Sequence, residues 1–218
     1  DNKLKINHGI KKDLLLSKNY INYIFDFEKK ELVKINKNKT NILFLPTLRK
    51  KNANFYFFNN DFDYKILDAF LFKNNAEIYI NLHPFDANIK NQLESYDNIK
   101  ILSPINDNNN ILMRHMNIFV TDYSSVYFDF LLFDKPIVLA PFDHSNYIKF
   151  DRNLINEYFN MPSEFAYNWD QLINVLENII KHNEDKHIDE RVKLKNKLFP
   201  NLNLSGLDET IKLLENIK

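Results

Sequence analysis

Between residues 41 and 141 the chain alternates short apolar runs with segments of helical spacing. That alternation limits the possible folds more than any other feature. The runs are NILFLP (41–46), AEIYINLHP (76–84), NIKILSP (98–104), NIFVT (117–121) and PIVLAP (136–141). Between them DYKILDAFLFKN (63–74), DANIKNQLESY (86–96), NNNILMRHM (108–116) and SSVYFDFLLFD (124–134) space their apolar residues like helices. Short apolar strands separated by helices need both faces covered, which implies a parallel sheet between helical layers. The expected fold class is α/β, a Rossmann-like doubly wound parallel sheet. Its strands are expected at 42–45, 77–82, 99–102, 117–121 and 136–140.

The flanks are less regular. A loop around NHGIKKD is followed by an expected helix with Asn and Lys at its end. The tail segments 168–182, 189–199 and 207–218 all read as helices. Residues 1–40 are thus expected to be a linker and 41–218 the folded domain. With 44% hydrophobic residues over 218 positions, the chain can bury one large core.

Composition removes several function classes. Lys plus Arg equals Asp plus Glu at 29 each, so no broad basic face for nucleic acid is expected. Without cysteine there is no disulfide framework and no thiolate metal site. Glycine occurs only at Gly9 and Gly206, too sparsely for a phosphate-cradling glycine loop. No apolar run reaches the roughly 18 residues that span a bilayer. The first residue is Asp, from which we expect a piece of a longer protein.

The stretch VTDYSSVYFDFLLFDKPIVLAPFDHSNY carries the chemistry. A strand ends at Thr121 and Asp122, and a helix begins at Ser124 or Ser125. Ligands of doubly wound sheets bind outside the carboxyl ends of the strands. Hydroxyls and free N–H groups there suit a phosphate. Ser and Asp are also common helix caps, so the residues alone leave both readings open. His83 ends another strand on the same edge, and Arg49 follows a third. Each has an ordinary alternative, as a packing histidine and a solvated arginine. His115, His144, His182 and His187 lack metal-ligand spacing, and no acidic cluster is present, so no metal or other cofactor is expected.

The same stretch resembles the signature of the CDP-glycerol glycerophosphotransferase family, the teichoic-acid primases and polymerases with related capsule enzymes. The matching residues are Thr121, Asp122, Tyr123, Ser124, Ser125, Asp129, Lys135, Pro136, Asp143 and Tyr147. NILFLPTLRK resembles a second family stretch, giving Pro46, Thr47 and Arg49. INLHPF resembles a third, giving His83 and Pro84. The resemblance runs from about residue 9 to 215.

It implies the C-terminal, nucleotide-binding half of a GT-B fold. In the implied reaction an acceptor hydroxyl attacks the β-phosphorus of CDP-glycerol or a related CDP-polyol and CMP leaves. His83 is the implied catalytic residue, stabilising phosphate or leaving group. Substrate contacts fall on Thr47, Arg49, Thr121, Asp122, Ser124, Ser125, Asp129 (toward the ribose), Asp143, Tyr147 and Arg152. The implied acceptor is lipid-linked or a surface polymer.

GIKKDLL resembles the family's Gly-x-Pro-Arg-x-Asp-x-Leu, which places Gly9 just before the nucleotide domain and leaves His8 without a catalytic role. The N-terminal domain, with its own catalytic histidine, is then expected outside this chain, and the fragment alone is expected to be inactive. The chain departs from the family pattern at Lys11, Lys12, Asn81, Asn153 and after Gly206. Those departures keep open a GT-B enzyme using a nucleotide sugar for lipooligosaccharide or capsule, and a non-catalytic binding module is the alternative of another class. The resemblance implies a cytoplasmic protein, and the basic segment RVKLKNKL is either a contact with the inner membrane face or a solvated helix face.

Overall fold

The computed structural model describes residues 23–26, 31–47, 49, 62–81, 93, 95–102, 108–151, 153–154 and 157–200. Strands β3 (Thr40–Leu45), β4 (Ala76–Asn81), β5 (Ile99–Leu102), β6 (Ile118–Thr121), β7 (Ile137–Leu139) and β8 (Glu164–Phe165) form one sheet. Its order is β5-β4-β3-β6-β7-β8, and every pairing is parallel. The five strands expected from the sequence all appear. β8 is two residues long, too short to show a period.

Side chains alternate across the sheet because the strand period is two. Ile42, Phe44, Ile78, Ile80, Ile118, Val120 and Val138 face one way. They meet Leu67 and Leu71 of helix α1 (Tyr64–Lys73) and Trp169, Leu172 and Leu176 of helix α5 (Trp169–His182). Leu43, Leu45, Tyr79, Phe119, Ile137 and Leu139 face the other way. There they meet Leu112 and Met113 of helix α2 (Asn108–His115) and Tyr127 and Phe130 of helix α3 (Val126–Phe130). Helices α4 (His144–Phe150) and α6 (Ile188–Leu198) complete the described set. The helices start where polar caps dictate. Asp63 accepts from the Lys65 N–H at 3.0 Å, and Asn168 accepts from the Gln171 N–H at 2.9 Å.

The helix expected early in the chain is not what residues 23–34 form. Strands β1 (Tyr23–Asp26) and β2 (Glu31–Lys34) pair antiparallel, with Ile24 opposite Val33 and Phe25 opposite Leu32. Adjacent aromatic and branched residues favour a strand over a helix here, and β1 lies against α2. The helices expected over 86–96 and 207–218 fall almost entirely outside the described residues. So do the expected loop around His8 and Gly9, and the segment following Gly206.

With so little glycine, left-handed backbone falls to Asn and Asp. Asn75, Asp134 and Asn183 have φ of 48°, 50° and 50°, the conformation these two residue types tolerate best after glycine. Asn183 ends α5 in this way. Replacing Asn183 by valine is expected to cost about 1–2 kcal/mol, since a branched side chain clashes there. Replacement by glycine is expected to be neutral or slightly stabilising. Urea denaturation of the two variants checks this.

Lys135 has a structural task. Its ammonium donates to the carbonyls of Arg114 and Met116 at 2.9 and 2.6 Å, closing the end of α2. Burial holds its pKa below the ordinary lysine value.

Candidate functional site

The strand order reverses direction between β3 and β6. From β3 the chain steps outward to β4 and β5, then returns to β6 and steps the other way. Such a reversal opens a crevice at the carboxyl ends of the two central strands. The segments leaving β3, β6 and β7 converge there.

Asp122 immediately follows β6 and is fully buried. Its carboxylate accepts from the Thr47 N–H at 2.9 and 3.0 Å, from the Thr47 hydroxyl, and from the Tyr123 N–H at 2.6 Å. Arg49 Nη2 donates to it at 2.7 Å. The same guanidinium grips Asp143, after β7, by two bonds of 2.8 and 2.9 Å. Arg49 Nη1 donates to the Thr47 carbonyl at 2.6 Å. A buried cation thus bridges two buried carboxylates, each drawn from a different strand end. The planar fork of arginine suits this bidentate grip.

Burial pushes the Asp122 carboxyl above its ordinary pKa, against the Arg49 charge and the hydrogen bonds from Thr47, Arg49 and the Tyr123 backbone. For Arg49 burial acts to lower the pKa, but the Asp143 hydrogen bond and the charges of Asp122 and Asp143 outweigh it. The guanidinium therefore stays charged. Tyr123 and Tyr147 stack at 3.9 Å, with Arg49 Cζ 5.1 and 4.7 Å from their centroids. The Tyr123 hydroxyl donates to Asp143 at 3.2 Å and the Tyr158 hydroxyl to the Asp122 carbonyl at 3.0 Å. Burial and the neighbouring carboxylates raise the pKa of both phenols, so they remain donors.

The structure thus gathers Thr47, Arg49, Asp122, Asp143 and Tyr147 into one knot. In this state the bidentate partner of Arg49 is Asp143. Thr121 is also enclosed, its hydroxyl donating to the Leu45 carbonyl at 2.7 Å, which ties β6 to β3. The serines sit apart. Ser124 Oγ accepts from the Val126 N–H at 3.3 Å, a weak cap on α3, while Ser125 is exposed at the helix start and makes no side-chain cap. Asp129, one turn on, is only 5% exposed, so the ribose contact implied for it does not lie on an open helix face.

His83 and Arg152 lie outside the described residues. Sequence reasoning missed Tyr158 as part of the knot: it comes from the segment before β8, where no motif or period marks it. Among the described residues no group of three or more acidic or histidine side chains is placed to hold a metal. Nor is any described helix long and apolar enough to cross a membrane.

Residues 11–202 match the family described as CDP-glycerol:poly(glycerophosphate) glycerophosphotransferase. The chain is 31% identical over 174 residues to the teichoic acid ribitol-phosphate polymerase TarL of Staphylococcus aureus, covering 76% of this chain and 30% of that protein. It is 34% identical over 176 residues to a teichoic acid poly(ribitol-phosphate) polymerase of Bacillus spizizenii, covering 71% and 26%. The chain therefore spans about a third or less of the length of these curated relatives. A structure of the wall teichoic acid polymerase TagF superposes over 98% of this chain and 49% of its own, with TM-score 0.57 and 19% identity. That likeness bears on the fold alone and agrees with the parallel α/β sheet.

Proposed function

The chain belongs to the CDP-glycerol:poly(glycerophosphate) glycerophosphotransferase family, and from that premise we propose that its sheet domain binds the nucleotide-activated donor of a polyol-phosphate transferase. The donor is CDP-glycerol or a related CDP-polyol, and the acceptor is a growing surface polymer. Relatives described as ribitol-phosphate polymerases support a polyol phosphate as the group transferred. The observation that carries the reading is the placement of Thr121 to Ser125, which end β6 at the crevice where the strand order reverses.

In the proposed reaction an acceptor hydroxyl attacks the β-phosphorus. A new oxygen–phosphorus bond forms, the pyrophosphate bond breaks, and CMP leaves with the electron pair. The buried knot of Arg49, Asp122 and Asp143 fixes the three loops that form the crevice floor. Ser124 and Ser125, at the start of α3, offer hydroxyls to the phosphates. His83 and Arg152 keep the roles implied for them, leaving-group stabilisation and substrate contact. The attacking group's base is assigned to a further domain of the complete protein. Residues 1–40 serve as the connecting segment and 41–218 as the donor domain, with the β1–β2 hairpin resting on α2. We place the working enzyme in the cytoplasm, facing a lipid-linked acceptor at the inner membrane surface.

Calorimetry with CDP, cytidine, UDP and GDP tests this. CDP is expected to bind best. The double variant Ser124→Ala with Ser125→Ala should weaken CDP at least about tenfold, because each hydrogen bond to a charged group contributes roughly 1.5–3 kcal/mol. Cytidine should be much less affected. Unchanged CDP affinity, alongside a lower melting temperature, would reduce these serines to helix caps. Preference for UDP or GDP would point instead to a nucleotide-sugar enzyme.

A further inference from the structure

We infer that His144 is a donor-binding residue of this site, which hydrogen-bonds a phosphate oxygen of the nucleotide. The inference rests on the donor-binding reading above and adds a residue that neither the signature nor the resemblance assigned.

His144 opens α4 directly after Asp143, at the carboxyl edge beside the crevice. Two aromatic side chains hold its ring. Phe159 meets it edge-on at 4.8 Å between centroids, and Tyr123 lies tilted at 6.5 Å. The imidazole thus stands beside the ring of Tyr123, the residue that immediately precedes Ser124. The ring nitrogen Nδ1 is closed to solvent and has no hydrogen-bond partner among the described residues, while the residue as a whole is only half-buried.

A buried nitrogen without a partner is costly, and native structures seldom keep one without a reason. If packing between Phe159 and Tyr123 were the whole role, a phenyl ring would fill the place without that cost. The surrounding polar groups offer the nitrogen nothing, because they satisfy one another. Arg49 is bound to Asp122 and Asp143, Thr47 to Asp122, Tyr123 to Asp143, and Tyr158 to the Asp122 carbonyl. The Arg49 charge is thus already opposed by two carboxylates. A pyrophosphate arriving here needs a donor from outside the knot, and a neutral imidazole can donate from either nitrogen according to its tautomer and ring orientation.

The test compares wild type with His144→Phe and His144→Gln, using CDP and cytidine in calorimetry. His144→Phe should keep the aromatic packing and weaken CDP at least about tenfold, the loss expected for a hydrogen bond to a charged group. Its cytidine affinity should not change. His144→Gln, which retains a donor, should recover part of the CDP affinity. In the wild type, CDP should also move the imidazole ¹⁵N resonances of His144, a readout that needs no variant to fold. CDP binding by wild type that ignores both substitutions and leaves those resonances in place would overturn the inference alone. Failure of wild type to bind any cytidine nucleotide would overturn the donor reading, and the inference with it.

Discussion

Replacing Arg49 by methionine is expected to lower stability by about 3–5 kcal/mol, the usual result of removing one partner of a buried ion cluster. Arg49 is 4% exposed and its two partners are buried as deeply. Methionine keeps much of the volume but leaves Asp122 and Asp143 facing each other without a cation. Thr47 and the Tyr123 N–H still support Asp122, while Asp143 keeps the weaker Tyr123 hydroxyl. Neutralising the carboxylates as well, with Asn at 122 and 143, should recover part of the loss, because the penalty comes from unpaired charge and not from a missing contact. Urea denaturation of the single and triple variants measures both. A loss below about 1 kcal/mol for Arg49→Met would show that the cluster is solvated and behaves like a surface ion pair.

The second large effect is expected on the face of the sheet covered by α1 and α5. Trp169 opens α5 and is 4% exposed. It stacks on Phe62 at 5.2 Å and meets Phe44, Tyr64 and Phe142 edge-on at 5.9, 6.0 and 5.6 Å. Removing a buried aromatic side chain typically costs about 3–5 kcal/mol, through lost transfer energy and the cavity left behind. Trp169→Ala is expected to fall in that range, and Trp169→Phe to cost clearly less. Circular dichroism must follow the unfolding, since this is the single tryptophan in the chain. Equal losses for the two variants would mean that the cavity collapses and that packing at this point is loose.

The sheet was legible because its signal is local. Strands such as NILFL and EIYIN are short apolar runs that end near turn residues, so their positions follow from the sequence within a residue or two. β8 and α4 carried too few residues to display a period. The hairpin at 23–34 was not foreseen because its strands are four residues each, within the range where strand and helix patterns coincide. The candidate site divides in the same way. Its residue types stood out at Thr121 to Ser125, but what they do did not. Asp122 finds Thr47 across 75 positions, and Arg49 finds Asp143 across 94. No local pattern encodes such a pairing. Nor does it show that Ser124 caps weakly while Ser125 stands exposed.

Those separations also set an order of events in time. The groups of the knot come from positions 47, 49, 122, 123, 143, 147 and 158, so it can close only after β3, β6 and β7 have docked. Until then the three charges remain hydrated, which spares a partly folded chain the cost of dehydrating them unpaired. An interaction absent from the folding transition state acts on the unfolding rate and hardly on the folding rate. The Arg49 bridge is therefore expected to act as a late-closing brake on opening, so that Arg49→Met speeds unfolding with little change in the folding rate.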